Sequence, residues 1–303
     1  MLDLSRLRYF QAVAEAGSFS RAARGLGLSQ PTLSVQIARL EEELGTTLLR
    51  RHRSGVTPTP AGQRLLAHAE ELFHRVERLE QELRTHASEP EGPLRIGTIG
   101  SVGTYLLPDV LDLFTQRYPR VRPTILFEHS DPALDLLQQG RLDVALTARA
   151  RPPTAAHNVP LFDDPLLLVV GPGHRLWGRR FVRPRDIEGE RLIGMAENSP
   201  SARLVEHVLA RHKVRLQPVI RSVQMPALVR LVRINLGLSF LPRMAVAEDL
   251  AAGRLHAVSF EGEELHRKIW ASWDTPDPIP ARDAFVALLR EVAGVRGLAR
   301  PPT

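Results

Sequence analysis

The sequence contains no cysteine, only two lysines, and aromatic residues at just 5%. Without a thiol there can be no disulfide framework, no thiolate metal site and no sulfur nucleophile, so a cysteine-based redox sensor is excluded. No stretch approaches the roughly 18 consecutive apolar residues of a membrane span, and residues 1–9 carry charges where a signal peptide needs an apolar run. A cytoplasmic chain with no membrane partner is expected. What is present is an ordinary aliphatic composition: 303 residues, 43% hydrophobic and 24% charged, enough for two or three packed domains. All 40 basic residues except Lys213 and Lys268 are arginine. A guanidinium grips phosphate with two parallel bonds, although a GC-rich genome explains the same bias. Placement says more than the total: residues 1–64 hold 9 Arg against 5 acids, whereas residues 65–89 hold 3 Arg against 6 Glu. A basic module precedes an acidic helix.

The first 45 residues read as three short helices. Leu7, Phe10, Val13 and Ala14 line the first, which Gly17 ends; Ser18 caps a second with Ala22, Ala23 and Leu26 inside and Gly27 at its end. Ser29 caps a third, with Pro31 in its first turn and Leu33, Ile37, Leu40 and Leu44 as its buried stripe. Two helices joined by a short Gly-containing turn match a helix-turn-helix. Ser29, Gln30, Pro31, Thr32, Ser34, Val35, Gln36 and Arg39 fall on the outer half of the third helix or at its border. An outward Val35 among small polar groups is odd in water but suits a major groove, where it could meet a thymine methyl. Residues 48–59 then read as a two-stranded wing. Its Arg50, Arg51 and Arg53 are placed to follow phosphates or enter a minor groove, the alternative being a solvated charge cluster.

The ordered set Tyr9-Phe10, Gly17-Ser18-Phe19-Ser20, Ala22-Ala23, Ser29-Gln30-Pro31, Leu33-Ser34, Gln36-Ile37, Leu40-Glu41, Leu44-Gly45 and Thr59-Pro60-Ala61-Gly62 resembles the LysR-type transcriptional regulators. Leu49 and Pro58 stand where that family often has Phe and Leu, and Arg53-Ser54 replaces a frequent Gly-Arg in the wing.

From residue 61 to 86, Leu65, Ala69, Leu72, Val76, Leu79 and Leu83 alternate steps of four and three, the 3.5-residue period of a coiled-coil seam. The alternative is a helix packed on its own domain. A paired helix would set two reading helices roughly 34 Å apart on a duplex inverted repeat. The resemblance implies the same pairing, with dimers associating into tetramers.

Residues 88–93, with Pro90, Gly92 and Pro93, break the helix. Strands are then expected at 94–99, 124–128, 142–146, 161–170, 192–194, 219–223, 238–241 and 268–273. Helices are expected at 105–118, 133–139, 202–212, 227–235 and 282–292. This βα alternation predicts a mostly parallel sheet covered by helices. Leu94-Arg95-Ile96-Gly97, Leu107-Pro108, Tyr118-Pro119, residues 140–145 and Leu236-Gly237-Leu238 extend the resemblance to the family's effector domain. Ile234-Asn235 stands where Ala-Gly is common. The resemblance implies an α/β architecture: a winged helix-turn-helix (1–62), a linker dimerisation helix (63–88), and a two-lobed effector domain (93–303) similar to periplasmic binding proteins. Its first lobe would hold 93–162 and 268–303, and its second 163–267.

Ligands of open α/β sheets sit beyond the carboxyl ends of strands. That rule selects Ser101, Val102, Thr104, Ser130, Thr147, Arg149, Asn198, Ser199, Ser201 and Gln224 as effector-contacting candidates, each Ser or Asn being equally a plain helix cap. A cation at Arg149 near several hydroxyls would favour a small carboxylate effector; a solvated surface Arg is the alternative. Gly97, Gly100 and Gly103 lack the dinucleotide spacing, and neither a Walker lysine nor a Gly-x-Ser-x-Gly motif occurs. The 11 histidines are scattered. No cofactor, metal or catalytic residue is expected, and the chain is read as a regulator that partners duplex DNA, itself and a small effector. Two other readings of the residues stand beside it. One is an enzyme or solute-binding module whose N-terminal helices serve assembly, and the other is a nonspecific architectural protein.

Overall fold

Polar caps and left-handed stops define the first helices as the sequence suggests. The computed structural model describes residues 3–53, 55–84, 89–149, 157–197, 199–260, 265–274 and 278–295, and the chain divides into two units, Met1–Glu80 and Gln81–Thr303.

In the first unit α1 (Leu4–Ala16) starts on Asp3, whose carboxylate accepts the Ser5 N–H at 2.8 Å, and ends at Gly17 with φ 58°. Ser18 caps α2 (Phe19–Leu26) and Ser29 caps α3 (Gln30–Leu44), and Gly27 and Gly45 terminate them. Leu7, Phe10, Val13, Ala22, Ala23, Leu33, Ile37 and Leu40 form the core. Leu44, expected inside, is 39% exposed because the last turn of α3 carries it past that core. The wing pairs β1 (Leu49–His52) antiparallel to β2 (Gly55–Pro58). Glu41 on α3 accepts the N–H groups of Leu48 and Leu49 at 2.7 and 3.1 Å, tying the start of the wing to α3.

The long helix α4 (Pro60–Arg84) begins where Thr59 Oγ1 accepts the Gly62 N–H at 3.0 Å. A Cβ at Gly62 would lie 2.1 Å from the Leu48 carbonyl oxygen, so the wing can pass this close only to glycine. The expected pairing seam is corrected here. Ala69 is fully buried, and Leu65, Leu66 and Phe73 pack with it on the unit's own core. The apolar face of α4 is broad enough to divide: one edge closes the module, while Leu72 and Leu79 stand 41% and 54% exposed with Val76 half-buried between them. The Leu83 side chain lies outside the described residues.

The second unit carries α5 (Gly100–Tyr105), α6 (Leu107–Arg117), α7 (Ser130–Gln138), α8 (Pro200–Arg211), α9 (Met225–Arg233), α10 (Arg243–Ala251) and α11 (Pro280–Val295). Its strands are β3 (Gly92–Thr98), β4 (Val121–Phe127), β5 (Val144–Thr147), β6 (His157–Val170), β7 (Phe181–Val182), β8 (Arg191–Met195), β9 (Gln217–Ser222), β10 (Ser239–Pro242), β11 (His256–Phe260) and β12 (His266–Trp273). The helix expected over 105–118 is present as α6, and the short α5 before it was not expected; the two stay separate because Pro108 offers no N–H to continue the ladder from α5. Asn235 adopts φ 59° after α9, a conformation an amide side chain tolerates.

The main sheet runs β4-β3-β5-β12-β6-β11-β7, with β10 also on β6. It is mixed rather than mostly parallel. β3 is parallel to β4 and β5, and β11 to β7, but β12 runs against both β5 and β6, and β10 and β11 run against β6; β8 and β9 form a separate parallel pair. Two cores result. Leu94, Ile96, Val102, Leu107, Phe114, Val144 and Phe285 fill the first lobe. Val169, Val170, Ile193, Val205, Leu228, Leu238 and Phe240 fill the second. β6 serves both, giving Leu161 and Phe162 to the first and Leu166, Leu168, Val169 and Val170 to the second. The chain therefore passes between lobes on paired strands.

Candidate DNA-reading surface and effector cleft

On the first unit, Pro31, Thr32, Val35 and Arg39 are exposed on α3, and Val35 shows 50% of its surface. Ser29 and Thr32 hydroxyls lie 2.7 Å apart, and Gln30 accepts the Ser20 hydroxyl at 2.9 Å. Ser34 and Gln36 are half-buried at the edges of this surface. Arg50, Arg51 and Arg53 are exposed on the wing. Arg51 is already engaged: its Nη2 donates to Ser34 Oγ at 2.7 Å, and its guanidinium lies 4.3 Å from the Phe19 ring centre. The candidate reading residues thus form one polar, arginine-flanked surface built by α3 and the wing.

In the second unit, a cavity of about 630 Å³ opens between the lobes. On one side it is lined by Ser101, Thr104, Phe127, Glu128, His129, Ser130 and Ala148, and on the other by Met195, Ser199, Pro200, Ser201, Ser222, Val223, Gln224, Met225 and Pro226. Six of the ten candidates therefore meet here: Ser101, Thr104, Ser130, Ser199, Ser201 and Gln224. Three do not. Val102 is fully buried in the first lobe's core, one step around α5 from Ser101. Thr147 is fully buried beside Trp270 on β12, and its hydroxyl has no hydrogen-bond partner among the described residues. Arg149 is outside the lining, paired at 2.8 Å with Asp131, so the cation that pointed to a carboxylate effector does not face the cavity. Asn198 lies outside the described residues.

Among the lining residues outside the ten candidates is Arg267, at 6% exposure. Its Nη2 donates to Ser101 Oγ at 2.7 Å and its Nη1 to Ser201 Oγ at 3.3 Å, touching both sides of the cleft. Asp164, fully buried on the neighbouring strand, accepts from Nε and Nη2 at 3.0 and 2.7 Å. A signal existed. Along β12 exposed and buried residues alternate, His266 out, Arg267 in, Lys268 out, Ile269 in. A cation at an inward strand position demands a partner.

Family models match nearly the whole chain: "Bacterial regulatory helix-turn-helix protein, lysR family" over residues 4–63 and "LysR substrate binding domain" over residues 87–294. The chain belongs to the LysR family. It is a DNA-binding transcriptional regulator with an effector-binding domain, the outcome the residues of α2, α3 and the wing suggested. Among its LysR-type relatives, a probable hydrogen peroxide-inducible genes activator of Streptomyces viridosporus is 35% identical over 293 residues, 95% of this chain and 94% of that one. The DNA-binding transcriptional dual regulator OxyR of Escherichia coli K12 is 31% identical over 248 residues, covering 82% and 81%. A full-length OxyR cysteine variant from Pseudomonas aeruginosa shares the fold with a TM-score of 0.72 at 24% identity, over 100% of this chain and 98% of the other. Among the described residues no helix is long and apolar enough to cross a membrane.

Proposed function

We propose that this regulator acts as a homodimer or tetramer on an inverted-repeat duplex and is switched by a small molecule held noncovalently in the cleft. The single observation that carries the reading is Arg267, whose guanidinium hydrogen-bonds Ser101 on one lobe and Ser201 on the other. A ligand that competes for these groups changes the free-energy difference between lobe arrangements, and only that difference can shift the population. Relatives are named for peroxide induction, but with no cysteine in the sequence this chain's response cannot pass through a thiol. Effector occupancy replaces it, without turnover and without a bound metal or cofactor, in the cytoplasm where the DNA is. Leu72, Val76 and Leu79, together with Leu83, supply the pairing seam. Thr32, Val35 and Arg39 read bases in the major groove while Arg50 and Arg53 meet the backbone.

Fluorescence anisotropy on a promoter duplex containing an inverted repeat tests this. Tighter binding than to a scrambled duplex at moderate salt, modulated by a cleft ligand, is expected. Equal affinity for both duplexes would sink sequence-specific reading.

A further inference from the structure

We infer that the cleft takes an uncharged ligand carrying oxygen acceptors and an apolar body, an inference that rests on the cleft being the effector site. The lining of the cavity carries no net positive charge. Arg267 is the lining arginine, and Asp164 neutralises it at 2.7 Å; four of its five N–H donors are engaged, two by Asp164 and one each by Ser101 and Ser201. Glu128 adds a carboxylate to the lining, beside His129. A carboxylate ligand entering here would meet no unpaired arginine and would face the Glu128 carboxylate. Like charges in a confined, partly desolvated site repel strongly.

The uncharged groups, by contrast, are biased in one direction. Ser101 and Ser201 accept from Arg267. Ser130 accepts the Ala148 N–H at 3.2 Å, Ser199 the Ala202 N–H at 3.0 Å, and Ser222 the Gln224 N–H at 3.0 Å. Each of these five hydroxyl oxygens is held by a protein donor, which leaves its own O–H hydrogen to be given away. The cleft therefore presents convergent donors without net positive charge. Phe127, Val223 and Met225 offer apolar wall for the rest of the ligand. Ketone, amide, ester or lactone oxygens on an apolar frame match that lining.

Benzamide, benzoate and benzamidine share a ring and a planar head but are respectively neutral with a carbonyl acceptor, anionic, and cationic without an acceptor. Titrating each into the full chain at millimolar concentration, by calorimetry and ligand-observed NMR, should give benzamide an affinity about tenfold above the other two. The benzamide signal should fall in Ser130→Ala/Ser201→Ala, with Ser222→Ala as a milder second variant and thermal unfolding confirming that each is folded. Benzoate binding as well as or better than benzamide, with the same sensitivity to the serine variants, would overturn the uncharged class but keep the cleft as the effector site. If binding of all three is absent, or indifferent to the serine variants, both the inference and the cleft assignment fall.

Discussion

Arg267 and Asp164 face each other across paired strands β12 and β6, the guanidinium gripping one carboxylate oxygen at 2.7 and 3.0 Å where the chain passes between the two lobes. Both side chains are withdrawn from water, at 5% and 0% exposure. A pair this deep contributes little net stability over an apolar pair, but removing one member leaves a charge without a partner.

Arg267→Met should therefore destabilise the folded chain by about 3–5 kcal/mol, whereas Arg267→Met/Asp164→Leu should recover most of that loss. Urea unfolding of the single and double variants gives the coupling directly. A single variant as stable as the parent would show that water or another cation reaches Asp164.

Arg50 and Arg51 are adjacent in sequence but differ in their contacts. The Arg51 side chain is committed to Ser34 and the Phe19 ring, so it positions the wing against the reading helix. Arg51→Ala should weaken DNA binding by about 1–2 kcal/mol without altering the slope of log affinity against log salt. Arg50→Ala should instead flatten that slope by about 0.9, as expected for one neutralised phosphate. A flattened slope in the Arg51 variant would place its guanidinium on the DNA.

Leu72→Lys/Leu79→Lys should raise the dimer dissociation constant about 100-fold, because two exposed leucines are lost from each copy's seam. Analytical ultracentrifugation at micromolar concentration reads the shift, and circular dichroism should show the helices intact. Ala69→Lys should behave differently and unfold the first unit, since a charge would enter a fully buried position. An unaltered sedimentation profile for the double-lysine variant would remove this edge of α4 from the interface.

His174 gives the second unit a pH dependence. Burial, with Arg175 acting in the same direction, holds its imidazole below the ordinary 6.5 and outweighs Glu190, which raises it. The geometry agrees, because Nδ1 accepts the Leu176 N–H at 3.2 Å and can do so only when unprotonated. With the folded value below the unfolded one, the unfolded chain takes up the proton first as pH falls. Stability is full above about 6.5 and declines below it. Thermal unfolding of His174→Asn, whose carbonyl oxygen can take over the Leu176 bond, should lose this decline. A decline of equal slope in the variant would assign it to other groups.

The first unit was nearly legible from sequence because its determinants are local. Ser18, Ser29, Gly17, Gly27 and Gly45 act within a few residues of themselves, and their spacing fixes the helices. The division of α4 was not legible: a 3.5-residue period reports an apolar face but not what covers it, and Ala69 turned inward to its own core. In the second unit α10 escaped notice because Met244, Ala245 and Val246 are buried consecutively, leaving no helical stripe. The cleft hydroxyls were found by a rule about strand ends. Arg267 was missed because its partners lie 66, 103 and 166 residues away, and only the folded chain brings them together.

Glu41 clasps the wing's first two amides from within α3. Because one carboxylate anchors the hairpin to α3, the groove and backbone contacts proposed for the two would arrive as a single rigid footprint. Preference for a new operator must then come from swapping exposed side chains, since sliding the hairpin along the duplex would mean breaking that clasp.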